Sequence, residues 1–290
     1  MGVGYSDSTP GVTYAFDRRG RQTAITQGTT TTSRIYDDAG NLLIESYSGG
    51  PLDGLSVTNR YDQHLRRTNL AILNSQSSIL AFTAYAYDNA SRLATVSDGT
   101  NTATYTYLTD SPLVSQIEFA QSGIVRMTTT KTYDSLNRLL SISSAPSAFS
   151  AVNFDYSYNT ANQRAAVTNA DSSYWVYEYD ALGQVVSGKK HWPDDTPVAG
   201  QQLEYAFDDI GNRKTAASGG DQSGANLRLQ NYTANNLNQY SQRTVAGYVD
   251  VLGAANSNAT VTLWSASGAH ATAYRKGEYF RFFRKVPVWR

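Results

Sequence analysis

Along much of the chain, aromatic and polar residues alternate one by one and then stop at an acid. Residues Tyr174–Val186 read Tyr-Trp-Val-Tyr-Glu-Tyr-Asp-Ala-Leu-Gly-Gln-Val-Val. Trp175, Tyr177 and Tyr179 fall on one face of an extended strand, because strand side chains alternate with a period of two. Aromatic and β-branched residues also suit a pleated surface. Asp180 ends the alternation: its carboxylate is placed to accept a backbone N–H two residues on, as in an Asx-turn, and Gly183 takes positive φ at little steric cost. Val185 and Val186 open a return strand. The phrase predicts a β-hairpin with a loop of about four or five residues.

The same phrase recurs. Aligned on the acid after the aromatic, the anchors are Asp17, Asp37, Asp62, Asp88, Asp134, Asn159, Asp180 and Asp208, with a degenerate ninth at Asn235. They are 20 to 28 residues apart except for one gap of 46, which predicts a worn copy near Tyr105–Tyr107 and Ser115–Ile117 and a repeat of about 24 residues. Three residues after the anchor stands Gly20, Gly40, Ser91, Asn137, Asn162, Gly183, Gly211 or Asn238, with Leu65 the exception. Gly and Asn tolerate left-handed φ and Ser is common in turns, so these residues predict a corner in register in each copy. The next position is Arg, Asn or Gln throughout. Asp17, Gly20, Asp37, Gly40, Asp62, Asp88, Asp134, Asn159, Asp180, Gly183, Asp208 and Gly211 are therefore assigned to turns. A second aromatic two residues upstream, as in Tyr85/Tyr87 and Tyr205/Phe207, predicts cross-strand ladders. No stretch holds an apolar period of 3.6, so helices should be rare. The expected fold is all-β: tandem hairpins in a long, curled antiparallel sheet over residues 13–245, followed by a C-terminal strand region and tail over 246–290.

Composition fits that picture. The 290 residues are 40% apolar with 21 tyrosines, which suits a β protein with much wetted surface. Net charge is zero, which gives no field for nucleic acid. Residues 271–290, however, hold six Lys/Arg against Glu278 alone. The absence of cysteine removes disulfides, thiol nucleophiles and Cys-based zinc sites. No run reaches 18 apolar residues, so no transmembrane segment is expected, and no secretory leader is expected in these residues. The polar, Gly-rich joints, Gly219–Gly224 among them, read as linkers.

The recurrent Tyr-Asp-x-x-Gly-Arg/Asn-Leu phrase resembles the YD repeat of Rhs (rearrangement hotspot) proteins, which the C subunits of bacterial insecticidal toxin complexes and teneurins share. The likeness runs from about Thr13 to Tyr240. It implies hairpins coiled side by side into one spiralling sheet around a hollow shell. It also implies a secreted or surface location, and partners in the form of further repeats and a C-terminal effector domain beyond this chain. Bacterial shells of this kind end in a motif with an Asp-Pro-x-Gly phrase. No Asp-Pro occurs here and Asp250 stands alone, so the chain is expected to be an open fragment.

Other chemistry is thin. His64, His191 and His270 lack metal-ligand spacing. Asp37/Asp38, Asp194/Asp195 and Asp208/Asp209 resemble paired carboxylates or calcium ligands, but two of the three pairs lie at repeat corners where Asp already has a structural task. No nucleophile elbow or phosphate loop is present. No cofactor and no catalytic or metal residue is expected. Trp175, Tyr177, Tyr179 and Trp192 are the candidate contacts for a glycan or a cell-surface partner. Basic–aromatic interleaving over Arg275–Arg290 suits single-stranded nucleic acid or an anionic surface, or a frayed terminus; no specific nucleic acid is expected. The leading expectation is a non-enzymatic shell segment, and the alternative is an adhesive or glycan-binding repeat module.

Overall fold

The computed structural model describes residues 1–245, 247–264 and 270–285. These residues hold 26 strands and one 3-10 turn, Gly50–Leu52. Twenty-one strands, from Gly2–Val3 to Tyr240–Arg243, belong to one antiparallel sheet. The fold is all-β, as the alternation predicts. The chain divides into two units, residues 1–137 with 143–151 and residues 138–142 with 152–290.

In the first unit each strand pairs with its sequence neighbours, from Val12–Phe16 on Gln22–Gln27 to Val114–Gln121 on Ile124–Tyr133. The second unit repeats the scheme from Val152–Tyr158 to Tyr240–Arg243. Then Tyr248–Ala254 pairs with Tyr279–Lys285, which also pairs with Tyr274–Lys276, while Thr262–Trp264 pairs with His270–Thr272. Within the C-terminal strand region one strand ends at Ala254 and the next begins at Thr262. Trp289 and Arg290, at the end of the basic–aromatic tail, lie outside the described residues.

The anchor hairpins at Asp17, Asp37, Asp62, Asp88, Asn159, Asp180, Asp208 and Asn235 carry the same irregularity. Tyr36 faces Leu42 while Ile35 faces Ile44, so Leu43 is an extra residue in the return strand. The same skip leaves Thr68 opposite Arg60/Tyr61, Ala94 opposite Ala86/Tyr87 and Val186 opposite Glu178/Tyr179. A β-bulge bends its strand and increases local twist. Repeated once per hairpin, it supplies the curl of each sheet segment.

The faces are unequal. In Asn101–Tyr107, exposed Thr104 and Thr106 alternate with half-buried Ala103, Tyr105 and Tyr107. Neither face forms a thick core: among the described residues the buried apolar side chains are Ala71, Val198, Ala199, Ala216, Ala217 and Ala273. Ladder hydrogen bonds and ring stacking must therefore hold most of this sheet.

The far ends of the hairpins turn by the same chemistry as the corners. Gly219–Gly224 is an ordered turn rather than the linker the sequence suggested. Asp221 Oδ1 accepts the N–H groups of Ser223 and Ala225 at 2.9 and 3.1 Å, and Gly224 has φ of 77°. Asn74 plays the same part, accepting from Gln76 and Ser78. These turns lack the preceding Tyr, which is why alignment on the aromatic passes over them.

Candidate functional site

The repeated feature is the corner, and its chemistry can be followed atom by atom at Asp88. One carboxylate oxygen accepts the N–H of Ala90 at 2.9 Å and of Arg92 at 2.8 Å. The other accepts Arg92 Nε at 2.7 Å. Ser91 sits between at φ of 63°. The Arg92 guanidinium then lies 4.3 Å from the centre of the Tyr107 ring in the next repeat. Tyr107 donates its hydroxyl to the Leu93 carbonyl at 2.7 Å. The Asp shapes its own turn, and the Arg and Tyr stitch that turn to its successor by charge, ring and hydrogen bond.

This arrangement explains residues that the sequence showed only as a pattern. Asp17 with Arg21 over Tyr36, and Asp62 with Arg66 over Tyr87, repeat it. Asn41 and Asn212 return their side-chain amides to Asp37 and Asp208 at 2.9 Å. Where the anchor is Asn159, its partner is Gln163, and Asn159 Nδ2 donates to Gln163 Oε1 at 2.7 Å. A carboxylate–guanidinium pair is exchanged for two complementary amides, and the geometry survives. Tyr36, Tyr61, Tyr87, Tyr107, Tyr133, Tyr158 and Tyr179 each donate to a carbonyl at the start of the preceding return strand. The worn copy turns at Leu108–Leu113 with Leu108 in place of the anchor acid, and Tyr107 keeps its link. Leu65 takes φ of 62° despite its bulk, so the corner imposes left-handed geometry even where Gly or Asn is missing.

Asp134 accepts the Leu136 N–H, with Asn137 left-handed, and Asp180 accepts those of Leu182 and Gln184 at 2.9 Å, with Gly183 at φ of 80°. All the acids assigned to turns therefore occupy corners. Hydrogen bonding holds several below the ordinary 3.8. The causes are the Arg21 N–H at Asp17, the Asn41 amide at Asp37, the Arg66 side chain at Asp62, the Arg92 N–H at Asp88 and the Asn212 amide at Asp208. Asp194 falls to about 2, chiefly through Lys276, and Asp221 to about 2, chiefly through Ser223. A folded pKa below the unfolded one stabilises above the unfolded value and loses that contribution as pH falls through the folded one. The unfolding temperature should therefore stay nearly level from pH 7 to 5 and drop between about pH 4 and 2. Scanning calorimetry across that range checks this, and Asp194→Asn should flatten the lowest part of the fall.

The candidate aromatics do not form one row. Trp175 and Tyr177 stack with centroids 6.3 Å apart and planes 3° from parallel. Tyr177 rests against Gly188, and burial raises its hydroxyl pKa. Tyr179 is committed to the Arg164 carbonyl. Trp192 belongs elsewhere: Tyr279 meets its ring edge-on at 5.5 Å and Lys276 Nζ lies 5.5 Å from its centre. The C-terminal strands supply both neighbours.

Those strands also make a buried cluster that the sequence did not reveal. Arg281, only 4% exposed, donates from Nε and Nη2 to the two oxygens of Asp250 at 2.9 and 3.2 Å and from Nη1 to the Gly220 carbonyl. Arg228 pairs with the same carboxylate. Burial pushes the Asp250 carboxyl up, but the bonds from the two arginines outweigh it and hold it low. Lys276 Nζ reaches Asp194 Oδ2 at 2.7 Å, and the Tyr279 hydroxyl donates to the Ala199 carbonyl at 2.6 Å. The acid pair Asp194/Asp195 is thereby split, since Asp195 accepts the Tyr174 hydroxyl. Among the described residues no group of three His, Asp or Glu is placed to hold a metal ion, and no helix is long and apolar enough to cross a membrane.

No protein-family profile and no curated protein matches the sequence. Solved structures do match the fold. A crystal structure of TcdB2-TccC3-Cdc42 aligns with 96% of this chain at 13% identity and a TM-score of 0.58. One of TcdB2-TccC3-TEV aligns with 97% at 14% identity and 0.56. A Photorhabdus luminescens Tc holotoxin pore mutated in TccC3 aligns with 97% at 12% identity and 0.51. The present chain spans 14% of the length of the first two and 15% of the third.

Proposed function

We propose, from the Rhs-like (YD-repeat) fold that the chain shares with these toxin structures, that it is a non-catalytic wall segment of a secreted or surface-displayed bacterial shell. The observation that carries this reading is the corner stitch. An acid that closes one turn, a cation over the next repeat's ring and a tyrosine bonded back to the preceding strand spend the chain's most chemically able side chains on joining hairpins. A wall of this kind is extended by adding repeats, and it tolerates two wetted faces, which accords with the few buried apolar residues. Its partners are further repeats and a C-terminal effector domain that the shell encloses or presents. The test is limited proteolysis of the gene product expressed with its native flanking sequence. The effector domain is expected to survive protease that digests it when expressed alone. Equal digestion, or flanking sequence without repeats, would overturn the proposal.

A second reading is favoured by one observation, the parallel Trp175 and Tyr177 rings, aromatic faces of the sort that stack on sugar rings. In this reading Trp175, Tyr177 and Tyr179 form a glycan or partner contact, and Trp192 contributes only if the C-terminal strands move away. A glycan array on the chain and its Trp175→Ala variant decides it: a signal that Trp175→Ala abolishes supports the contact, and silence from the unsubstituted chain removes it.

A further inference from the structure

Three corner tips of the second unit are apolar, and neither reading uses them. Two residues after the anchor stand Leu182, Ile210 and Leu237, exposed by 69%, 70% and 76%. The turn does not ask for such side chains, since the same position is Arg19, Ala39, His64 and Ala90 in the first four copies. What the turn needs there is the N–H, which the anchor side chain accepts at 2.9, 3.2 and 2.9 Å. That bond sets each backbone alike, so the three side chains stand in equivalent places on three equivalent turns. The turns are also neighbours. A Cβ on Gly211 would lie 3.1 Å from Gln184 Nε2, so the corner of Ile210 adjoins that of Leu182. Asn212 Nδ2 donates to Asn238 Oδ1 at 3.2 Å and joins it to the corner of Leu237. Successive corners are two strands apart, about 9.5 Å at ordinary strand spacing.

The pitch of this row selects a partner. Seven residues of an α-helix rise about 10.5 Å, so a helix laid along the row meets one tip per heptad with nearly the same side. An extended strand covers that distance in about three residues, an odd number, and would turn successive side chains to opposite faces. Charge narrows the choice further. The corners 180–184, 208–212 and 235–239 hold Asp180, Asp208 and Asp209 but no Lys or Arg. Exposed Asp209 and Glu178 form no ion pair among the described residues, whereas the Arg213 guanidinium is held over the Tyr205 ring at 4.9 Å. Lys214 stands exposed on the return strand, so free acids outnumber free cations along the row. That balance repels an anionic lipid surface and complements a helix bordered by Lys and Arg.

We propose that the row Leu182–Ile210–Leu237 docks an amphipathic helix of a partner protein, apolar once per heptad and bordered by Lys and Arg. The assignment concerns the corner edge alone and holds whether the sheet serves as a wall or as an adhesive module. Fluorescence anisotropy tests it on the whole chain, with a helix-stapled peptide of three heptads that carries one leucine per heptad with lysines beside it. One counterpart replaces the lysines by glutamates, and another keeps the composition but spaces the leucines five apart. The heptad lysine peptide is expected to bind tenfold or more tightly than either. The triple variant Leu182→Ser, Ile210→Ser, Leu237→Ser should weaken that binding tenfold or more with its circular dichroism unchanged. Ile210→Ser alone should weaken it in part, and Leu65→Ser, at an exposed corner of the first unit, not at all. No binding, equal binding of the three peptides, or an unchanged affinity in the triple variant would overturn the assignment. So would vesicle binding or self-association of the parent chain that the triple variant abolishes, since the row would then serve a lipid surface or a second copy.

Discussion

Replacing Arg281 with Met is expected to destabilise the second unit by about 3 kcal/mol, the lower end of what removing one partner of a buried ion pair costs. Methionine keeps most of the hydrophobic stem but withdraws three hydrogen bonds, two to Asp250 and one to the Gly220 carbonyl. Asp250 retains Arg228, which moderates the loss. A carboxylate left half-buried is the main cost. Arg281→Met combined with Asp250→Leu should therefore recover most of it, since replacing both members of such a pair with apolar groups is often neutral. Urea unfolding of the chain and both variants checks this. A single substitution within about 0.5 kcal/mol of the parent would show that the C-terminal strands add little to the unit they cover.

The second large effect is expected at Gly49, which has φ of 72°. A methyl group there would overlap the Thr29 carbonyl oxygen and come within 3.3 Å of the Thr30 Cα, both backbone atoms that cannot swing aside. Left-handed geometry costs a non-glycine residue about 1–2 kcal/mol and forced overpacking about 1–3 more. Gly49→Ala should thus lose about 3 kcal/mol or more. Gly99, at φ of 95° with open space around its would-be Cβ, is the control. Gly99→Ala should lose only the conformational part, about 1 kcal/mol. Thermal unfolding of the two variants separates collision from conformation.

How much of this was legible in the sequence depends on the range of the interaction. The corners were readable because an Asx-turn is local: Asp180, Leu182 and Gly183 contain all of its chemistry. The position four after the anchor was visible as a pattern of Arg, Asn or Gln, but its purpose was hidden, because Arg92 closes its own turn and also sits over Tyr107, a ring fixed only by sheet register. The bulges left no mark, since Leu43, Thr68 and Ala94 share no side-chain chemistry and the skip is a property of backbone pairing. The turns at Asn74 and Asp221 were overlooked for want of a preceding aromatic, though both carry the same acceptor. Trp192 was grouped with Trp175 on residue type, whereas its neighbours Lys276 and Tyr279 come from the far C-terminal strands. The Arg281–Asp250 cluster joins residues 31 apart through strand pairing, and no local spacing announces that.

The central claim is that each corner belongs to two repeats at once, and hydrogen exchange in Arg92→Leu tests it most directly. Arg92 closes the turn at Asp88 and lies over Tyr107, while Tyr107 anchors to Leu93. Native-state exchange by mass spectrometry should therefore show faster exchange in two separate segments, the corner 88–92 and the following strand 101–107, with the more distant corners unchanged. Faster exchange confined to residues 88–92 would contradict the account: the corners would then be independent turns, and the stitch between hairpins would have to lie elsewhere.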